Sequence, residues 1–274
     1  MSHTETQYAP AMNNLRGVLF FVLFISLGGC ASLDRPRGAE YRNLLAPTGT
    51  LRVGVNVGSP LSMVRSNPQA EPRGIGYELG VELARRLGVP MAVVEMRNIN
   101  DVFAAMQAGK VDLSGSNATA VRAALVDFTA IAVEIEVGYL VPAGSALQSL
   151  EDMKRPGLRI AVTQGSTSQT TLPRLLPEAV IVPAANLATA AQMLKDRSID
   201  AYSTNKAILF EIADGVPDSR VIPGSISWEQ WALAIPKGRQ TALPYLNSVL
   251  GELRQSGELP KIVERSGLRG SRLP

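Results

Sequence analysis

In "SNATAVRAALVDFT" (116–129) a single arginine, Arg122, stands among alanines and valines just after a run of small polar residues. A guanidinium keeps its charge at any ordinary pH and presents a planar fork of donors that fits a carboxylate bidentately. Three placements suit it: a buried ion pair, a surface turn where it meets Asp127, or a clamp on an acidic ligand. The residues alone do not separate the surface pair from the clamp.

Composition narrows the other chemistries. The 274 residues include one histidine, His3, and one cysteine, Cys30, and carry a net charge of +3. Arg16 precedes "GVLFFVLFISLGG", an apolar run shorter than the roughly 20 residues that span a bilayer. Its order of charge, apolar stretch and small residues is that of a secretory signal. "LGGC" (27–30) resembles the lipobox of bacterial lipoproteins, whose cysteine carries the lipid. Residues 1–29 are therefore expected to be a signal peptide, with Met12 offering a tidier start than Met1. Residues 30–47 then form a lipidated tether that holds the protein to a membrane through Cys30, in the periplasm or at the cell surface. Ala31 after the cysteine leaves sorting to an outer membrane open. The mature chain keeps no histidine and no thiol free of lipid, which excludes histidine triads and Cys/His metal sites. No cofactor and no metal are expected. The arginines are scattered and few aromatics interleave with them, which argues against a nucleic-acid partner.

The elements that must position Arg122 follow in alternation. "TLRVGV" (50–55) reads as a buried strand, and Leu79, Leu83 and Leu87 stand at helical spacing before Gly88, a predicted C-cap. Strand 91–96, helix 100–109 and strand 111–115 continue a βαβαβ order, the pattern of a parallel sheet covered by helices. After a long strand-like stretch (133–144) come strand 158–163, the helix "GSTSQTTLPRLL", strand "AVIVPA", helix "NLATAAQMLKD", strand "IDAYST" and helix "NKAILFEIA". Strand "WALAIP" and two helices close the chain, and the tail from 269 to 274 is expected to be disordered. "GIGYELG" (74–80) imitates a dinucleotide fingerprint but lacks its third glycine and its preceding strand.

Six phrases in order, "GTLRVGV", "GIGYELGVELARRLGV", "VFAAMQAGKVDLSGSNATAVRAALVDFT", "RIAVTQGST", "MLKDRSIDAYSTN" and "WALAIPKG…LNSVLGELRQSGELPKIVERSG", resemble the bacterial solute-binding proteins of the polar amino-acid type, receptors of ABC importers. The resemblance covers about residues 48–268. It implies a two-lobed α/β fold of the periplasmic-binding-protein type II kind, with two crossover strands. Lobe one would be 48–135 plus 230–268, and lobe two 136–229. The resemblance also implies capture of a small carboxylate by lobe closure, delivery to importer membrane subunits, and a monomer. Arg122 matches the family arginine on the ligand's α-carboxylate. Gly115, Ser116, Asn117 and Thr119 would turn amides and hydroxyls to the same anion, and "QGST" with Ser166 and Thr167 would complete the cradle from lobe two.

The departures concern the ligand's other end. The family pattern "DAxxxD" ends in an aspartate for the α-ammonium, and here "DAYSTN" ends in Asn205. An amide supplies no countercharge to a desolvated cation. Either Glu134 or Glu136 near the crossover replaces it, or the ligand is a carboxylate without a free α-amine, the reading these residues favour. Aromatics expected in "FTAIA" (128–132) and "NVGSPLSM" (56–63) are missing as well. Trp228 and Trp231 are expected to pack at the hinge. Two other classes fit the scaffold: a cyclohexadienyl-dehydratase-like enzyme with Glu134 or Glu136 as general acid, and a ligand-sensing receptor lobe.

Overall fold

Runs of β-branched and apolar residues form the strands of this chain, and stripes of leucine at helical spacing form its helices. The computed structural model describes residues 38–274; the signal segment and residues 30–37 of the expected tether, Cys30 included, lie outside the described residues. The first half contains α1 (Arg42–Leu45), β1 (Leu51–Asn56), α2 (Ile75–Leu87), β2 (Met91–Met96), α3 (Ile99–Gln107), β3 (Ser114–Asn117), α4 (Ala120–Ala123), β4 (Val126–Phe128) and β5 (Val133–Val141). Then follow β6 (Arg159–Thr163), α5 (Thr167–Leu175), β7 (Val180–Ala184), α6 (Leu187–Lys195), β8 (Ala201–Asn205), α7 (Lys206–Asp214) and β9 (Arg220–Val221). The chain ends in β10 (Ser227–Pro236), α8 (Leu243–Gln255), α9 (Glu258–Arg265) and β11 (Ser271–Arg272). In α2, Leu79, Leu83 and Leu87 are all buried, and Gly88 closes the helix at φ 65° with its amide on Ala84 and Arg85 carbonyls.

Two long strands join two α/β halves. β1 pairs β2 in parallel, and β6 pairs both β7 and β8 in parallel. Between these halves β5 and β10 run antiparallel, with Val133 opposite Trp231 and Val137 opposite Ser227. The first half of β5 pairs β10, while its second half continues into the other lobe against β8. β10 likewise continues against β3 and β4. The expected third parallel strand therefore meets β1 only through the bridge from Val53 to Leu113, and β3 is antiparallel to β10. One core gathers Val53, Leu79, Leu83, Trp231 and Leu246 from both ends of the chain. Separate cores around Leu194, Tyr202 and Leu209, and around Tyr139, Ile160 and Leu172, fill the two faces of the other half.

One buried carboxylate braces the first lobe. Asp112 is 0% exposed and receives Arg52 Nε at 2.7 Å, Arg52 Nη2 at 2.8 Å and Arg239 Nη1 at 3.0 Å. Burial pushes its carboxyl up, but the hydrogen bonds from Arg52 and Arg239 outweigh this and hold it below the ordinary carboxylate value.

Two expectations need correction. The last residues are ordered: β11 adds to β5, with Ser271 opposite Ile135 and Arg272 opposite Glu134. Arg272 lies 4.0 Å over the Trp228 ring and 2.7 Å from Glu134, and Arg269 pairs with Asp214 while lying 4.8 Å over Phe210. Ion pairs and cation–π contacts give this short, polar tail its place. In addition, β10 starts at Ser227, four residues before the apolar "WALAIP".

Candidate functional site

Between the two halves lies a cavity of about 80 Å³. Asn56, Thr163 and Asn205, the last residues of β1, β6 and β8, line it, as do Ile99, Thr167 and Leu187, which open α3, α5 and α6. Carboxyl ends of parallel strands and amino ends of helices are where α/β folds place their ligands. Gly115, Ser116, Asn117 and Arg122 form the first-lobe wall; Ser166, Thr167 and Asn205 belong to the facing wall.

Arg122 enters the cavity because Thr119, two residues beyond β3, caps α4: the Thr119 hydroxyl accepts the Arg122 amide at 3.3 Å. Its Nη1 donates to Ser116 Oγ at 2.8 Å and its Nη2 crosses the cleft to the Gly165 carbonyl at 3.0 Å. The guanidinium carbon lies 5.6 Å from the centre of the Phe103 ring. Among the described residues no carboxylate forms an ion pair with Arg122; Asp127, the surface partner considered above, pairs with Lys237 at 2.6 Å instead. Burial draws the Arg122 guanidinium below its ordinary value, and the negative charge of Glu229 opposes that shift. Arginine stays charged even so. A half-buried cation whose close partners are a hydroxyl and a carbonyl suits an anion.

Thr119 is the one expected wall residue that does not line this cavity, its hydroxyl being used as the α4 cap. Gly115 is there for packing. A Cβ on it would come 1.9 Å from the Trp231 indole, which leaves no room for a side chain. Trp231 itself, 2% exposed, forms part of the cavity wall as well as the hinge core, whereas Trp228 is 40% exposed under Arg272. Ser166 caps α5 by accepting the Gln169 amide at 3.3 Å, and Asn205 caps α7 by accepting the Ile208 amide at 3.2 Å.

The two glutamates expected near the crossover do not line the cavity. Glu134 pairs with Arg272 and Glu136 with Lys206. The hydrogen bond from Arg272 holds the Glu134 carboxyl below its usual range. The cavity carboxylate is Glu229, which sequence reasoning missed. Its Oε1 accepts the Thr167 hydroxyl and its Oε2 accepts Asn205 Nδ2 at 3.4 Å. In the β5–β10 register Glu229 lies opposite Ile135, so it shares a face with Ile135 and not with Glu134 or Glu136. Strand alternation was the signal that could have found it, had β10 been started at Ser227.

Comparison with known proteins bears on the family and the fold. The family model of the bacterial extracellular solute-binding proteins, family 3, matches residues 51–267. The chain is 23% identical over 262 residues to the ABC transporter glutamine-binding protein GlnH of Bacillus subtilis, covering 94% of this chain and 96% of that one. Among solved structures, an ancestral arginine-binding protein bound to glutamine superposes with a TM-score of 0.72 at 27% identity, over 81% of this chain and 98% of its own. An ancestral amino acid-binding protein described as a precursor of cyclohexadienyl dehydratase gives 0.71 at 28% identity, over 80% and 95%.

Proposed function

This chain belongs to family 3 of the bacterial extracellular solute-binding proteins, and from that premise we propose that it captures an amino acid between its lobes with Arg122 on the ligand's carboxylate. It is a binding protein of the amino-acid ABC transporter kind rather than an enzyme. The fold carries the two lobes and the pair of long connecting strands that such capture needs.

The observation that carries the reading is the half-buried Arg122, held by Ser116 and Gly165 and lacking a carboxylate partner among the described residues. A ligand carboxylate would supply that partner bidentately. Because the bond to Gly165 joins opposite walls, ligand and closure would stabilise one another. The side chain of Asn98 adds a second link, donating to the carbonyls of Gln164 at 3.2 Å and Ala185 at 3.1 Å. Closed lobes would then be the form presented to the importer.

No helix among the described residues is long and apolar enough to cross a membrane. The proposal includes a lipid on Cys30 as the attachment to the membrane and a monomer as the working state. Replacing Cys30 by Ala should move the protein from the membrane fraction to the soluble one; unchanged fractionation would refute the anchor.

The function itself is tested by thermal unfolding against amino acids and simple carboxylates. A ligand at 100 times its dissociation constant stabilises by about 2.7 kcal/mol, a shift easily read. Stabilisation by amino acids supports the reading, and silence across the panel would overturn it.

A further inference from the structure

Resting on Arg122 as the carboxylate clamp, we propose that Glu229 holds the ligand's α-ammonium, and that the ligand is an α-amino acid with an uncharged side chain. Glu229 and Trp231 stand two residues apart on β10, so both side chains leave the strand on one face, and both line the cavity. Asn205, at the position where the resemblance leads one to expect the ammonium's carboxylate, has its own oxygen occupied by the Ile208 amide at the start of α7. Its Nδ2 is a donor and points to Glu229 Oε2. Asn205 and Thr167 thus hold the carboxylate from one side.

An ionised carboxylate has about four acceptor positions, and these two neighbours use two of them. Among the described residues no Lys or Arg forms an ion pair with Glu229, in contrast to Glu134 and Glu136. An α-ammonium brings three donors and the missing countercharge.

The charges of the cavity bound the ligand further. Among the described residues, Arg122 and Glu229 are the only charged side chains lining it, and they form no ion pair with each other. One cation and one anion held apart by separate elements complement a zwitterion. A charged ligand side chain would be buried with no counterion. The remaining wall is apolar at Leu61, Ile99, Leu187 and Ile208. Asn56 Oδ1 and Asn117 Oδ1 are buried without hydrogen-bond partners and can accept from a ligand hydroxyl.

The test is calorimetric titration of the purified protein with L-alanine, L-serine, L-arginine, L-glutamate and propionate, which is alanine without its amine. Wild-type, Glu229→Gln, Glu229→Asp, Glu134→Gln and Arg122→Ala proteins are compared, each checked first for unchanged thermal unfolding. Wild type should prefer alanine to propionate by at least thirtyfold. Glu229→Gln should cut that ratio at least tenfold, weakening alanine while binding propionate more tightly than wild type does, because the variant removes a repelling negative charge from the cavity. Glu229→Asp, the second variant should the glutamine protein not fold, should lower the ratio less, and Glu134→Gln should leave it intact. A ratio that survives Glu229→Gln overturns the ammonium assignment even when Arg122→Ala abolishes binding of alanine and propionate alike, so the clamp would stand alone. Unchanged affinities in Arg122→Ala would instead remove the clamp. Tighter binding of arginine or glutamate than of serine overturns the side-chain class, and silence across the panel overturns both assignments.

Discussion

β5 and β10 lie side by side in the hinge and carry three glutamates at neighbouring positions of their ladder, yet only one of the three lines the cavity. Glu134 and Glu136 sit on one face of β5, where Arg272 from the tail and Lys206 from α7 neutralise them. Glu229 sits on the other face of the neighbouring strand, where it meets two neutral donors and the cavity. The difference is a single step of strand parity. A carboxylate with a basic partner contributes to the fold, and one left without a partner is available to a ligand.

Asp112 extends the comparison to the interior and gives the largest expected effect. It is fully buried between Arg52 and Arg239, so Asp112→Ala should destabilise the fold by about 3–5 kcal/mol, as for other broken buried pairs. Ligand affinity should change less than twofold, by calorimetry. Its folded carboxyl lies below the unfolded value of about 3.9. The stability it contributes is therefore complete above that pH and lost as pH falls through the lower, folded value. The variant should show a shallower acid loss of stability than wild type; an identical acid profile would mean that Asp112 is not the titrating group.

Arg122→Ala is the mirror image. Affinity for the ligand should fall by about 2–5 kcal/mol, the cost of truncating one side of a buried charge pair. Unfolding without ligand should be unchanged or shifted upward, because the variant removes a half-buried cation with no carboxylate paired to it. A large loss of ligand-free stability would place Arg122 with the structural residues. The smallest effect belongs to Glu134→Gln and Glu136→Gln, each expected to alter affinity less than twofold. A larger change in either would break the parity argument directly.

Much of the fold and one wall of the cavity were legible in the residues. β1, α2, β2, α3 and the alternating elements of the second half have compact periodic patterns with capping residues, such as Gly88 after α2 and Ser166 before α5. Arg122 was legible because everything that positions it, Ser116, Thr119 and the turn of α4, lies within seven residues of sequence. The same local view misread Thr119, whose hydroxyl is taken up as a cap. Glu229 was hidden for the opposite reason. In "SWEQWALAIP" the first four residues of β10 show no run of apolar character, so the strand seemed to begin at Trp231. That β10 reaches back to Ser227, which puts Glu229 on the face of Trp231, depends on pairing with β5, nearly a hundred residues away, and apolar periodicity inside one segment does not report that pairing. The tail escaped notice likewise, since its order comes from Glu134, Trp228, Asp214 and Phe210, all distant in sequence.

Trp231 offers the most direct test of the central claim, because it lines the cavity and is buried at 2% exposure. Its fluorescence can be followed during titration with L-serine, with Trp228→Phe as the common background. The account predicts a saturable change in emission that Arg122→Ala abolishes while circular dichroism stays that of the folded protein. A saturable change with the same midpoint in Arg122→Ala would contradict it, and would remove the guanidinium from the site of capture.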